Sequence, residues 1–553
     1  MQKLRFLLLL FAFAAGNFQH LRAQATFPVN DVASPKDGCY AFTNATIFKD
    51  ARDTLKNATL VIRQGKVEAV GTTVSIPKEA VVIDCNGKYI YPAFIDIYTD
   101  YGIASAASQQ PAGGGGAGFF RTQQITSSTK GAYGWNQAIK SETEAYKLFS
   151  ADDAKAKTLR DIGFGAVLTH QKDGIARGTG AFVTLAAQPD NFVLIREKAS
   201  AHYSFNRGTS GQSYPNSMMG MIALLRQTYL DAQWYKSNPA AEGVNISLKS
   251  WNENQHLPQI FDASDKWNDL RADKIGDEFG VQYIIKGGGN EYQRMREMVE
   301  TKASFILSLN YPAAMDVDDA NDLRFVGLDD LKHWELAPGN PAAFEKAGIN
   351  FCLTTADLSN PADFMANLRK AIEYGLTEPR ALEALTKTPA GLLGVYDKVG
   401  SLDAGKIANF IITSGPVFAE KTVLLQNWTQ GIKNSVKDEN WYDVKGFYNL
   451  AANTNAGVKS YSVELKDAGV ASFISKDTLT GKYTYDGKLV KLSYTEGRGP
   501  GARETIFSGA VAGTSWNGFG SDAQGNKFTW TASFDKKAET KPDSTRLKQP
   551  LVL

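Results

Sequence analysis

The chain has 553 residues, 43% hydrophobic and 21% charged, with 60 Lys and Arg against 58 Asp and Glu. A net charge of +2 without a long Lys/Arg run argues against nucleic-acid or polyanion binding. The length exceeds what a single core organises, so about two to four domains are expected.

In chain order, Lys3 and Arg5 precede the apolar run FLLLLFAFAA at residues 6–15, and Ala23-Gln24-Ala25 completes an A-x-A cleavage pattern. Residues 1–25 therefore read as a cleaved secretion signal, and the expected location is periplasmic or extracellular. The apolar run is about half of the ~20 residues a membrane span needs, and no span is expected later in the chain. Cys39, Cys85 and Cys352 are odd in number and lack CxxC spacing. Two readings stay open: a Cys39–Cys85 disulfide within one small β domain, or three buried free thiols.

Residues 39–90 alternate short strands with Asn-Gly and Gln-Gly turns, which is hairpin chemistry. Residues 93–98 form a short apolar strand ending in polar residues, the look of a buried parallel strand. The insert QQPAGGGGAGFF at 109–120 lacks the Lys-Ser/Thr of a phosphate loop and reads as a flexible loop at a barrel mouth. From 93 to 394 apolar strands alternate with helix-like segments, which argues for βα units and a parallel barrel. Strand candidates are 166–170 with 182–186, 192–195, 259–263, 281–286, 305–309 and 350–354. Residues 173–180, DGIARGTG, read as barrel-loop structure in which Arg177 could grip a carboxylate or phosphate. The segments at 400–412 and 423–436 return to turn-and-strand patterning. After residue 455 short alternating strands, with Trp516, Phe519 and Trp530 among them, predict a separate antiparallel β module over 455–534, and 535–553 reads as a loose polar tail. The three aromatics could serve carbohydrate binding, although core packing is the commoner use.

Two phrases carry a family likeness. Pro92-Ala93-Phe94-Ile95-Asp96-Ile97, together with Gly400-Ser401-Leu402-Asp403-Ala404-Gly405-Lys406-Ile407-Ala408-Asn409, resembles the first barrel strand and the post-barrel turn of the amidohydrolase superfamily, in its imidazolonepropionase-like branch. The resemblance implies an α/β fold: a TIM-type (β/α)8 barrel at 93–394, a composite β-sandwich from 39–92 plus 395–450, and the C-terminal antiparallel module. It also implies metal-dependent hydrolysis of non-peptide C–N bonds.

The metal-ligand positions that the resemblance implies have changed. Tyr98 and Asp100 stand where the first strand carries His-x-His, Asp262 and Gly287 where two later strands carry His, and Ala356 where the last strand carries its basic Asp. A binuclear centre would use four histidines; His20, His170, His202, His256 and His333 are the whole supply. His202, His256 and His333 read as loop residues. The resulting expectation is a non-catalytic barrel with no cofactor, acting as scaffold or as partner of a catalytic amidohydrolase chain or of a second copy. The alternative is a rebuilt site that takes a divalent metal (Zn or Mg) on Asp100, Asp262, Asp357 or His170. His170, Arg177, Lys286 and Asp357 are the candidate pocket residues, Asp357 being one residue late on the last strand and so turned to the opposite face. The ligand is not legible from these residues. No G-x-S-x-G nucleophile elbow is present.

Overall fold

The computed structural model describes residues 38–106, 126–239, 241, 243–315, 324–438, 444–455, 457–466, 469–475, 477–485, 489–496, 503–512 and 515–537. The secretion signal at 1–25, the glycine-rich insert at 109–120 and the tail beyond 537 lie outside the described residues.

The amino-terminal flank folds into β1 (Cys39–Phe48), β2 (Thr54–Arg63), β3 (Lys66–Gly71), β4 (Val81–Asp84) and β5 (Tyr89–Pro92). Eight strands then form the barrel: β6 (Phe94–Thr99), β7 (Phe164–Thr169), β8 (Ala176–Thr184), β9 (Leu194–Ser204), β10 (Gln259–Asp262), β11 (Tyr283–Lys286), β12 (Ser304–Ser308) and β13 (Phe351–Thr354). Alternate residues along these strands divide between two cores. Ile95, Ile97, Leu168, Ile260, Ile284 and Ile306 fill one, while Phe94, Val167, Phe261, Ile285 and Phe305 join the helices in the other. The near-continuous apolar strands follow from that two-sided burial.

The TIM-type architecture holds, with one variation. β8 pairs antiparallel with both β7 and β9, whereas the other neighbours run parallel. Of residues 173–180, expected as loop, 176–180 therefore supply the start of a buried strand. Its glycines disguised it. Gly178 has φ +77, and a Cβ there would sit 2.0 Å from the Thr143 carbonyl oxygen, so only glycine lets the neighbouring segment pair alongside. β13 and β6 meet through Asp96. Its carboxylate accepts from Thr354 Oγ1 (2.6 Å), Thr355 Oγ1 (2.6 Å), Thr355 N–H (2.8 Å) and Tyr98 N–H (3.0 Å).

The chain then returns to the first sheet as β14 (Phe410–Thr413), β15 (Leu424–Thr429) and β16 (Ile432–Ser435). β14 pairs antiparallel with β5, Phe410 opposite Pro92, so both flanks of the sandwich join at the strand that feeds the barrel. The Gly-Ser-Leu-Asp-Ala-Gly-Lys turn acts here as a clamp. Lys406 is buried, donates to Ser401 Oγ at 2.6 Å, and lies 3.5 Å from the centre of the Tyr396 ring. Cys39, Cys85 and Cys352 are all buried and form no disulfide with one another.

The carboxy-terminal module is a closed antiparallel barrel of eight strands, from β17 (Gly446–Thr454) to β24 (Lys527–Lys536). It starts at Gly446 rather than 455, because β17 is needed to pair with β24 and shut the sheet. Trp516 and Trp530 are buried in its core and only Phe519 is exposed, at 74%, so packing accounts for two of the three aromatics. Among the described residues no helix is long and apolar enough to cross a membrane.

Candidate functional site

The residues singled out from the sequence gather where the barrel strands end. Tyr98, near the end of β6, is almost fully buried, and its hydroxyl accepts a hydrogen bond from Arg177 Nη1 at 2.7 Å. Arg177, on β8, is 4% exposed; it also donates to Asp262 Oδ2 at 3.0 Å and to the Gly174 carbonyl at 3.2 Å. Lys286, the last residue of β11, reaches Asp262 Oδ1 at 3.6 Å and bonds Asp357 Oδ2. The result is a chain of alternating charge, Arg177–Asp262–Lys286–Asp357. Burial opposes the charge on Lys286, yet the carboxylates of Asp262 and Asp357 prevail and raise its pKa. Arg177 is balanced the same way, desolvation against Tyr98 and Asp262, with the net shift upward.

Asp357 reaches Lys286 for a reason the strand argument missed. β13 stops at Thr354, so Asp357 belongs to a turn, in left-handed conformation with φ +68, and the alternation of strand faces does not reach it. Asp100 stands apart: it is exposed and pairs with Lys172 at 3.7 Å, and the Lys172 ammonium lies 5.3 Å from the Tyr98 ring centre.

Behind Tyr98 lie two imidazoles. His170 and His202 are buried and stacked, ring centres 3.6 Å apart and planes within 6°, and His170 also packs 4.7 Å from the Tyr98 ring. His202 Nε2 lies 2.8 Å from Ser200 Oγ. Both His170 nitrogens and His202 Nδ1 have no hydrogen-bond partner among the described residues. Burial drives both pKa values well below the usual histidine range; the neighbouring imidazole and the Arg177 and Lys172 charges push His170 further down, and the same two cations act on His202. Both rings are therefore neutral at neutral pH. His202 had read as a loop residue, but it belongs to β9. The signal available was the alternation of Ala201 and Tyr203, which enter the helix-facing core, with Ser200, His202 and Ser204 on the opposite face. His256 and His333 are elsewhere, on the Glu253 carbonyl (2.6 Å) and the Tyr292 hydroxyl (3.0 Å).

Comparison with known proteins bears on this mouth. Residues 337–444 match the family model described as Amidohydrolase family. The imidazolonepropionase of Flavobacterium johnsoniae is 24% identical over 386 residues, covering 65% of this chain and 86% of that protein, and the imidazolonepropionase of Klebsiella pneumoniae is 22% identical over 384 residues, with the same shares. These likenesses support a relationship to the amidohydrolase superfamily. The structure of an amidohydrolase from Thermotoga maritima, 20% identical, superposes with a TM-score of 0.56 over 71% of this chain and 99% of that one, which speaks for the shared fold.

Amidohydrolases as a superfamily usually hold a catalytic metal, so the residues at this mouth can be tested for their fit to one. They fit poorly. Tyr98 offers a hydroxyl already facing a guanidinium, and Asp262 is held by two cations. Gly287 has no donor atom, and a Cβ there would lie 2.5 Å from Glu291 Oε1. Ala356 contributes a buried methyl, its carbonyl accepting from Ser308 Oγ at 2.6 Å. Two positive side chains occupy ground where a divalent ion would need anionic or neutral donors. Among the described residues no three His, Cys, Asp or Glu side chains converge in a ligating arrangement. The stacked His170 and His202 rings lie in parallel planes, which does not aim their lone pairs at one point.

Proposed function

We propose that this amidohydrolase-family chain is exported and that its barrel performs no metal-dependent hydrolysis, serving instead as a scaffold or as the partner of a catalytic amidohydrolase chain or of a second copy of itself. The observation that carries the reading is the Arg177–Asp262–Lys286–Asp357 chain. It supplies two cations and two carboxylates that satisfy one another where the family's chemistry would need a ligand cluster. A fold can outlive its reaction in this way, because function resides in the site rather than in the frame. Export rests on the Lys3/Arg5, apolar run and Ala23-Gln24-Ala25 pattern at the amino terminus.

Two measurements check the proposal. Protein purified without chelator should carry no stoichiometric Zn, Mn, Fe or Mg by elemental analysis. Adding any of these ions should leave the melting temperature unchanged, since a ligand stabilises only a state that binds it. One metal per chain, or a metal-dependent rise in melting temperature abolished by Asp262→Ala, would replace this reading with a rebuilt hydrolase.

A further inference from the structure

A large cleft lies at the other end of the barrel from the residues just described. It borders Phe94, where β6 begins, and Ile162, just before β7, and extends to the sandwich at Leu425 and to Lys537 beside the carboxy-terminal module. Its volume is about 980 Å³, within the size range of small-molecule sites. Apolar residues, Met365 and Leu425 among them, form part of its wall, and Arg369 and Lys421 supply positive charge.

Arg369 is the informative residue. It projects from the helix Phe364–Glu373, is half-buried, and gives its Nε–H to the Phe418 carbonyl at 3.2 Å. Among the described residues no carboxylate stands within ion-pair distance of it, although Glu420 lines the same cleft. A guanidinium removed from water without a carboxylate partner has lost solvation that a bound anion can restore, and its planar fork suits a carboxylate or phosphate. The apolar wall would at the same time shelter a hydrocarbon body.

We propose that this cleft binds an amphipathic organic anion, an apolar chain or ring bearing a phosphate or carboxylate head, with Arg369 holding the head and the wall around Phe94, Met365 and Leu425 covering the body. The site would join three parts of the chain through one ligand.

Titration calorimetry on the full chain tests it, with decyl phosphate and decanoate below their micelle thresholds as probes. Saturable binding of either anion is expected, with decanol and inorganic phosphate each weaker by about tenfold or more, since each lacks half of the recognition. Whichever anion binds more tightly names the head group. Arg369→Gln, which keeps a donor for Phe418, should weaken the anion by about tenfold. The proposal is overturned by absence of saturable anion binding, by decanol binding as well as the anions, by inorganic phosphate binding as well as decyl phosphate, or by unchanged affinity in Arg369→Gln. Should circular dichroism show that variant unfolded, the exposed Lys421→Glu takes its place, and unchanged affinity there overturns the proposal equally. The reading of the barrel mouth stands or falls separately, because none of its residues line this cleft.

Discussion

Replacing Asp96 by alanine is expected to destabilise the barrel by about 3–5 kcal/mol, the largest effect of any single substitution considered for this chain. Asp96 has no solvent exposure, and its two oxygens accept four hydrogen bonds, three of them from Thr354 and Thr355 on the far side of the β6–β13 seam. Burial pushes its pKa up, and the donors from Thr354 and Thr355 pull against that shift. Alanine would take the acceptor from the Tyr98 N–H, the Thr355 N–H and the Thr355 hydroxyl, leave the Thr354 hydroxyl only the Tyr98 carbonyl at 3.4 Å, and open a void beside them. Each such orphan costs about 1–3 kcal/mol, with partial relaxation keeping the total below the sum. Thr354→Val removes one of these bonds and also takes the acceptor of the buried Ala356 N–H (3.1 Å), and should cost about 1–3 kcal/mol. Urea unfolding followed by near-ultraviolet circular dichroism measures both. A loss below about 1 kcal/mol in Asp96→Ala would mean that the seam is held by its apolar neighbours instead.

The second large effect is a dependence on pH. His170 and His202 are neutral in the folded chain, with pKa values well below the ordinary histidine value of about 6.5 that they regain on unfolding. The folded value is depressed, so the stabilisation is present above about pH 6.5 and is lost as the pH falls, because the unfolded chain takes up protons that the folded chain refuses. Between pH 7.5 and 5 the unfolded value of about 6.5 caps the loss at about 2 kcal/mol for each ring and about 4 kcal/mol for the pair. Tyr98 packs on His170, and the charges of Arg177 and Lys172 reinforce the resistance to protonation. His202→Gln should keep the fold but remove about half of that pH dependence, read as the change in urea midpoint across the same range. An undiminished pH dependence in the variant would refute a neutral stacked pair.

These two features differ in how visible they were beforehand. The Pro-Ala-Phe-Ile-Asp-Ile run announced a buried strand by its near-continuous apolar residues, but the donors that hold Asp96, Thr354 and Thr355, lie 258 and 259 residues further on and follow only from the fold. The turn from Gly400 to Asn409 was legible through its resemblance to the family's post-barrel phrase, and the structure realises it as the Lys406 clamp on Ser401 and Tyr396. The histidine stack was hidden. Ser200, His202 and Ser204 face away from the helix-packed core, so β9 lacks the apolar run by which its neighbours were recognised. The end of β8 was announced by the strand expected at 182–186, but its start was hidden for another reason: glycines at 178 and 180 resemble turn chemistry but exist to admit close neighbours, Thr143 in one case and Ser200 with His202 in the other. Ion pairs such as Arg177–Asp262, 85 residues apart in sequence, follow only from the order of strands around the barrel.

The carboxy-terminal barrel has one further consequence. Its first and last strands lie side by side, with Phe447 opposite Lys536, so the polypeptide enters and leaves this unit at a single doorway. Cutting there would sever one covalent link and break no shared hydrogen-bond ladder, since every strand of the unit finds its partners within it. Such a unit can be detached, exchanged or grafted elsewhere while both pieces keep their own cores intact.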